Sequence, residues 1–428
     1  MISNLQDEII EFVLKFKKKK NYVATNLNSY FAIFEKTPGY FLIKSNFSKI
    51  YLILYYLSVI KFFLAIKNAK LNFLNKLQQN KKYNRLVISW AFKDNFDENG
   101  NYHDKFLNKD SKNHDDTLWL ILCMDDELPK NIGKNILLLT KDKSKKNQFM
   151  FFLKYVFTSF KHKKIKHYFY GLNYFSAIFF EIKRIILSQF NQKIFKEILI
   201  IYEGQPFQKA IIKFFRDQNN INIVGYDHSS PPPLPLNLVH DKDSPNKLLV
   251  TGSSQTFFYS NFLDWPKEKL EVINSMRFSN ESTFFYKNKI FLPYELRSKD
   301  IILKSLKHLV KNCKIDISRL ETKNHPLQLK SRIHQDMIKK IEILKKNGTQ
   351  INNKKEFSIF FGQTTAVINA LDKGITCYHI CADPIFDSYS SNLWKNINVS
   401  QLGQNLFKYS AKTKNTFLTI EDKSYKFI

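Results

Sequence analysis

From Arg85 onward, short apolar runs alternate with polar loops and with stretches of helical period. Runs at 86–90, 118–124 and 135–140 each close on polar residues, the pattern of parallel strands in a sheet covered on both faces. The spacing predicts further strands over 196–202, 222–226, 247–251, 289–292, 313–317, 357–361 and 375–380, and helices over 205–217, 267–273, 299–311, 330–346 and 364–373. In the first of these helices Phe207, Ala210, Ile211 and Phe214 share one face. Strand, helix and strand over 196–226 have the length of a right-handed crossover. Residues 1–80 read as helical. The rigid loop Ser-Ser-Pro-Pro-Pro-Leu-Pro at 229–235 and the polar stretch 240–246 divide the remainder. The expected organisation is therefore a helical segment at 1–80 and α/β domains at 81–243 and 244–428, both Rossmann-like and doubly wound.

A chain of 428 residues with 44% hydrophobic content can fill two cores of this kind. Basic residues outnumber acidic ones, 67 to 38. The excess points to an anionic partner, whether a membrane surface, a phosphorylated substrate or nucleic acid. An AT-rich coding genome also produces the abundance of Lys, Asn, Ile and Phe with no function attached. No helix-turn-helix, RRM, KH or zinc-finger pattern appears, so nucleic acid is not expected. Cys123, Cys313, Cys377 and Cys381 make no disulfide framework; Cys377-Tyr378-His379-Ile380-Cys381 reads as a buried strand, and no metal is expected. The start of the chain reads as no secretory signal, so the expected place is the cytoplasm. The apolar run 51–66 is short for a membrane span and holds Lys61 at its middle; it reads as a buried helix or one lying on a bilayer. The basic cluster at Lys15 and Lys17–Lys20 and the aromatic, then basic, stretch 149–166 suit contact with anionic lipid or, equally, a solvated face and core packing.

In open α/β sheets ligands bind beyond the carboxyl ends of the strands, so the residues following each strand are the candidates. Glu203-Gly204 follows the run 196–202: the carboxylate suits a general base, and Gly204 permits a tight turn. Asp227, His228 and Ser229 place a carboxylate, an imidazole and a hydroxyl in the next loop, which suits polar readout of an acceptor or a nucleotide and, equally, a structural hydrogen-bonded turn. Lys323-Asn324-His325-Pro326 offers an ammonium and an imidazole to a phosphate leaving group. Gly362-Gln363-Thr364-Thr365 stands between a strand and a helix, where free backbone N–H groups favour an anion. Capping by Thr364 explains that pair equally well.

Taken in order, the acid at Glu203, His325-Pro326 and Thr364-Thr365 resemble the D/E-D/E-G, HP and S/T-S/T motifs of bacterial GT-B glycosyltransferases that use CMP-activated sugars, the sialyltransferase and polysialyltransferase type. The segments YEGQPFQKAIIKFF and IVGYDHSS are similar to surface-carbohydrate biosynthesis proteins. The first acid of the D/E-D/E-G motif is Tyr202 here, and the hydroxyl pair is Thr-Thr. The resemblance implies a GT-B fold, two Rossmann-like domains facing a central cleft. It implies an inverting, metal-independent transferase without cofactor, taking a nucleotide-sugar donor and a glycan or lipid-linked acceptor, in capsule or lipopolysaccharide assembly, at the inner face of the plasma membrane. It implies Glu203 as base, His325 as a phosphate contact or acid, and Thr364 and Thr365 as phosphate ligands. A CDP-glycerol-type glycerophosphotransferase, whose family also carries a Lys/Arg-x-His-Pro string, is the alternative. A basic lipid- or nucleic-acid-binding protein without catalysis and a non-catalytic GT-B scaffold are others.

Overall fold

The computed structural model describes residues 48–76, 81–123, 127–159, 174–190, 195–218, 221–230, 236–278, 282–296, 298–325, 328–346 and 356–413, with 7, 11, 41, 45, 125 and 417. Lys15, Lys17–Lys20, the proline loop 231–235, residues 160–166 and Pro326 lie outside the described residues.

The first sheet is built from β1 (Leu71–Phe73), β2 (Arg85–Ala91), a small hairpin β3 (His103–Asp104) and β4 (Lys109–Asp110) that stands apart, then β5 (Thr117–Cys123), β6 (Ile136–Lys141), β7 (Glu197–Ile201), β8 (Asn222–Asp227), β9 (Lys247–Thr251) and β10 (Leu270–Ile273). Its order is β1-β6-β5-β2-β7-β8-β9-β10. All neighbours run parallel except β1, which is antiparallel to β6. Every residue of β5 and β7 is buried, as a parallel sheet covered on both faces requires. The strand order reverses between β2 and β7, so a crevice opens beyond their carboxyl ends.

Helices α1 (Ile50–Leu64), α2 (Lys145–Ser159) and α3 (Tyr174–Gln189) belong to this half, followed by α4 (Pro206–Gln218) and α5 (Ser254–Phe262). On α4, Phe207, Ile211, Ile212 and Phe215 are buried, while Ala210 and Phe214 are only half-buried. Each buried Phe or Ile contributes roughly 2 kcal/mol.

After the turn α6 (Thr283–Tyr286), the second sheet contains β11 (Lys289–Phe291), α7 (Lys299–Lys311), β12 (Glu321–Lys323), α8 (Arg332–Lys346), β13 (Phe357–Phe361), α9 (Ala366–Asp372), β14 (Thr376–Ile380), α10 (Pro384–Asp387), β15 (Ile397–Gly403) and β16 (Leu406–Ala411). Its order is β12-β11-β13-β14-β16-β15, parallel through β14 and closed by an antiparallel hairpin. Here the order reverses between β11 and β13.

The α/β architecture with two sheets agrees with the sequence pattern, and five expectations change. Leu71–Phe73, inside the segment 1–80 read as helical, is the strand β1 and pairs with β6. Lys247–Thr251 pairs with β8 and so belongs to the first sheet, not to the second half. The chain passes to the second sheet only after Ile273, later than the polar stretch expected to divide the domains at 243/244. Residues 267–273 are not a helix: a single 3-10 turn, Lys267–Lys269, leads into β10, whose backbone is satisfied by pairing with β9. Residues 313–317 are not a strand, because Lys314 takes φ 54° and Asp316 accepts from the Ser318 N–H, closing a turn; the strand is β12.

Candidate active site

Glu203 follows β7, at the reversal point of the first sheet. Gly204 takes φ 62°, and a Cβ there would lie 2.1 Å from the Asn237 carbonyl oxygen, so no other residue fits this turn. Gln208, from the first turns of α4, locks the loop. Its Oε1 accepts from the N–H groups of Glu203 and Gln205, both at 3.1 Å, and its Nε2 donates to the Ile201 carbonyl at 2.7 Å. Asn237 Nδ2 donates to the Glu203 carbonyl. The carboxylate itself receives Gln205 Nε2 on Oε2 at 2.6 Å and stays 27% exposed, accessible to a substrate.

The loop after β8 stands beside it. His228 Nε2 lies 3.9 Å from Glu203 Oε1. Burial, then the nearby Arg277 charge, pushes the His228 pKa down to about 3. The imidazole is therefore neutral at pH 7, and its approach to Glu203 is not an ion pair. Its ring packs edge-on against Phe106 with centroids 4.5 Å apart, and Nδ1 is buried with no hydrogen bond among the described residues. Phe106 sits at the tip of the β3–β4 hairpin. There the buried Asp104 accepts from the N–H groups of Phe106 and Leu107 at 2.8 and 2.9 Å.

Asp227 is fully buried. Its Oδ1 accepts from the Ser229 N–H and hydroxyl at 3.1 and 3.0 Å, and its Oδ2 accepts from the Tyr259 hydroxyl. Burial raises its pKa to about 6. Of the two readings of this loop, the bonds of Asp227 form the hydrogen-bonded turn, with the Ser229 hydroxyl donating to it and itself half-buried.

On the second sheet, His325 follows β12 and is half-buried, with its ring edge-on to Tyr294 at 5.3 Å. Burial lowers its pKa, and His334 and Arg277 lower it further. Lys323 does not share the imidazole's position: its ammonium pairs with Glu321 on the same strand. Arg277 lies over the Phe106 ring at 5.3 Å, and its charge lowers the pKa of both His228 and His325. No sequence motif marks Arg277, Phe106 or Tyr294; only the fold gathers them.

Gly362 follows β13 with φ 60°. Its N–H donates to the Ile380 carbonyl, and its own carbonyl accepts from His379 Nε2 at 2.6 Å. Burial depresses the His379 pKa to about 4. That imidazole is a neutral prop for the turn, on a strand buried as its sequence suggested. Thr364 Oγ1 accepts from the Ala366 N–H at 3.2 Å, a bond within the turn that leads into α9. Thr365 occupies the N-cap position with no side-chain cap bond, and both threonines are half-buried.

The two halves are tied at this place. The single proton of the buried Tyr389 hydroxyl is shared between the Ser230 carbonyl at 2.9 Å and the Thr364 carbonyl at 3.0 Å. Gln255 of α5 holds the first-sheet side, donating to the Ser229 carbonyl and the Ser230 hydroxyl at 2.9 Å each. Asn396 donates to Ser254 Oγ at 2.8 Å, and Phe258 packs on Trp394 at 5.3 Å. The loop after β8, which carries His228 beside Glu203, is thereby joined to the loop that carries Thr364. Among the described residues no group of three or more His, Cys, Asp or Glu side chains is placed to hold a metal ion.

No protein-family model and no curated protein matches the chain. Partial overlaps with solved structures include α,α-trehalose 6-phosphate synthase from Burkholderia multivorans, at 8% identity, covering 63% of this chain and 70% of that one, TM-score 0.35. Another is the lipopolysaccharide outer core galactosyltransferase WaaB in its apo form, at 13% identity, covering 72% and 81%, TM-score 0.30. A third is a trehalose-6-phosphate protein from E. coli bound with UDP-2-fluoro glucose, at 10% identity, covering 68% and 76%, TM-score 0.32. Each overlap is partial, and the architecture described above stands on the sheets themselves.

Proposed function

We propose that the chain is a glycosyltransferase of the GT-B kind, moving a sugar from a nucleotide-activated donor, CMP-linked by its motif resemblance, to a surface-glycan or lipid-linked acceptor. One observation carries the reading. Tyr389 pins the loop after β8, whose His228 stands beside Glu203 at the reversal point of the first sheet, to the loop that carries Thr364 on the second. In this reading Glu203 takes the proton of the acceptor hydroxyl as its oxygen bonds to the anomeric carbon. The bond from that carbon to the phosphate oxygen breaks, its electron pair leaving with the nucleotide. His325, neutral at pH 7, donates a hydrogen bond to that phosphate, Thr364, Thr365 and the turn at Gly362 cradle it, and Arg277 supplies the positive charge. The displacement inverts the anomeric centre and needs no metal. The work is done at the inner face of an anionic membrane, in assembly of capsule or lipopolysaccharide.

Thermal-shift measurement with CMP, CDP, UDP and GDP tests the donor class. Stabilisation by CMP above the others is expected, and it should persist in EDTA. Stabilisation by UDP or GDP alone would exclude the CMP donor, and a preference for CDP with glycerol phosphate transfer would replace sugar transfer by glycerophosphotransfer.

A further inference from the structure

The helical layer formed by α1, α2 and α3 has an outer face that none of the described residues covers. On α1, Ile50, Ile53, Leu57, Ile60 and Leu64 recur at alternating spacings of three and four, a single stripe, and all five are exposed, Ile53, Leu57, Ile60 and Leu64 between 58% and 63%. The opposite side of the same helix buries Tyr55 and Ser58. A helix apolar on both sides belongs between two apolar media, and one of them here is the protein. The patch continues onto α2, where Phe149, Met150 and Phe157 are exposed; α2 joins α1 through Phe63 and Phe152, 5.7 Å apart, and joins α3 through Tyr155 and Phe180, 5.5 Å apart. No helix among the described residues is long and apolar enough to cross a membrane, so this layer lies along a surface rather than through one.

Charge selects the occupant. Lys49, Lys61, Lys67, Lys145, Lys146 and Lys154 are all exposed around the patch. The sole acid within α1, α2 and α3 is Glu181, which is buried and neutralised by Lys70 at 2.7 Å and Arg184 at 2.8 Å. A second copy of the chain would set this lysine rim against another like it. A bilayer with anionic headgroups accepts the apolar stripe and attracts the rim together. We infer that α1 and α2 form a monotopic docking surface that seats the protein on an anionic lipid bilayer. The inference gives the membrane-side reading above its contact surface. It does not rest on the catalytic assignment, since lipid binding is read without donor or acceptor.

The test is cosedimentation of the full chain with vesicles of phosphatidylcholine alone or with about one third phosphatidylserine. Binding to the anionic vesicles at least about tenfold tighter than to the neutral ones is expected. The combined substitution Ile53→Ser, Leu57→Ser and Ile60→Ser, at positions already facing solvent, should abolish binding to both. Phe149→Ser with Phe157→Ser should weaken it independently of α1. Lys145→Glu with Lys146→Glu should remove much of the anionic preference. Glu203→Gln should bind vesicles as the wild type does, which keeps failure of the docking surface separate from failure of the transferase reading. Wild-type protein that stays with the supernatant in both vesicle types overturns the inference. So does a concentration-dependent dimer that the α1 substitutions dissolve, with no vesicle binding, since the stripe would then be covered by a second copy.

Discussion

The acid-bearing loops of the first sheet and the anion-facing loops of the second are held in different ways. Around Glu203 the work is done by side chains: Gln208 takes two backbone N–H groups and gives one hydrogen bond back, Asn237 takes hold of the carbonyl, and Gln205 fixes the carboxylate. Next to it Asp227 and His228 are enclosed, and burial drives their pKa values toward each other's ordinary range, up to about 6 and down to about 3. On the second sheet the props are imidazoles on backbone carbonyls, the neutral His379 on Gly362 and His334 on Pro293, while His325 and the threonines stay half-exposed. A base must be aimed before its substrate arrives, whereas donors to a phosphate can adjust as it docks. The first lobe is built for position and the second for adaptable contact.

The sharpest break in that contrast is Glu203→Gln, which keeps the shape and the hydrogen bonding of the loop but removes the base. Transfer should fall by about 10²–10⁴ with the melting temperature little changed. Wild-type turnover in that variant would remove Glu203 from the mechanism. Gly204→Ala tests the rigidity of the same loop. A left-handed turn with backbone at 2.1 Å should cost about 2–4 kcal/mol in urea denaturation, and a cost near zero would mean the loop is not locked as described. Arg277→Ala addresses the second lobe. The KM for donor should rise about tenfold, and the His325 pKa, read by NMR titration of its ring protons, should rise, since a cation that depresses it is gone. An unmoved pKa would place Arg277 away from the imidazole. Tyr389→Phe removes the shared proton between the lobes and should cost about 1–2 kcal/mol, with a larger effect on donor KM than on kcat.

The smallest effect is one of pH. Asp227, raised in the folded state, contributes stability that is complete below its unfolded value near 4 and is lost as pH rises through about 6. His228, depressed, contributes stability present above its unfolded value near 6.5 and lost as pH falls toward about 3. Between pH 4 and 6 the two oppose each other. Asp227→Asn should therefore steepen the loss of stability on acidification through that window, read as melting temperature against pH. An unchanged slope would mean that the two groups are not both enclosed.

Local pattern settled most of the strands, because a covered parallel strand must be apolar along its whole length: 118–124, 357–361 and 375–380 stand out for that reason and recur as β5, β13 and β14. It failed where pairing decides. Leu270–Ile273 is an edge strand made stable by β9, and residues 313–317 are β-like in composition but broken by a left-handed Lys314. It also misplaced the division of the chain, since which sheet receives Lys247–Thr251 depends on a neighbour distant in sequence.

The same division runs through the site. Glu203-Gly204 was legible as a tight turn after an apolar run, and the sequence by itself determined that such residues follow the strands of two α/β sheets. It could not show that the charge of Arg277, distant in the chain, acts on His325, while Lys323, its neighbour in the chain, pairs with Glu321. Nor could it tell a ligand from a clamp at Asp227. Burial and partners are properties of the assembled fold, and the same carboxylate becomes one or the other according to what closes over it.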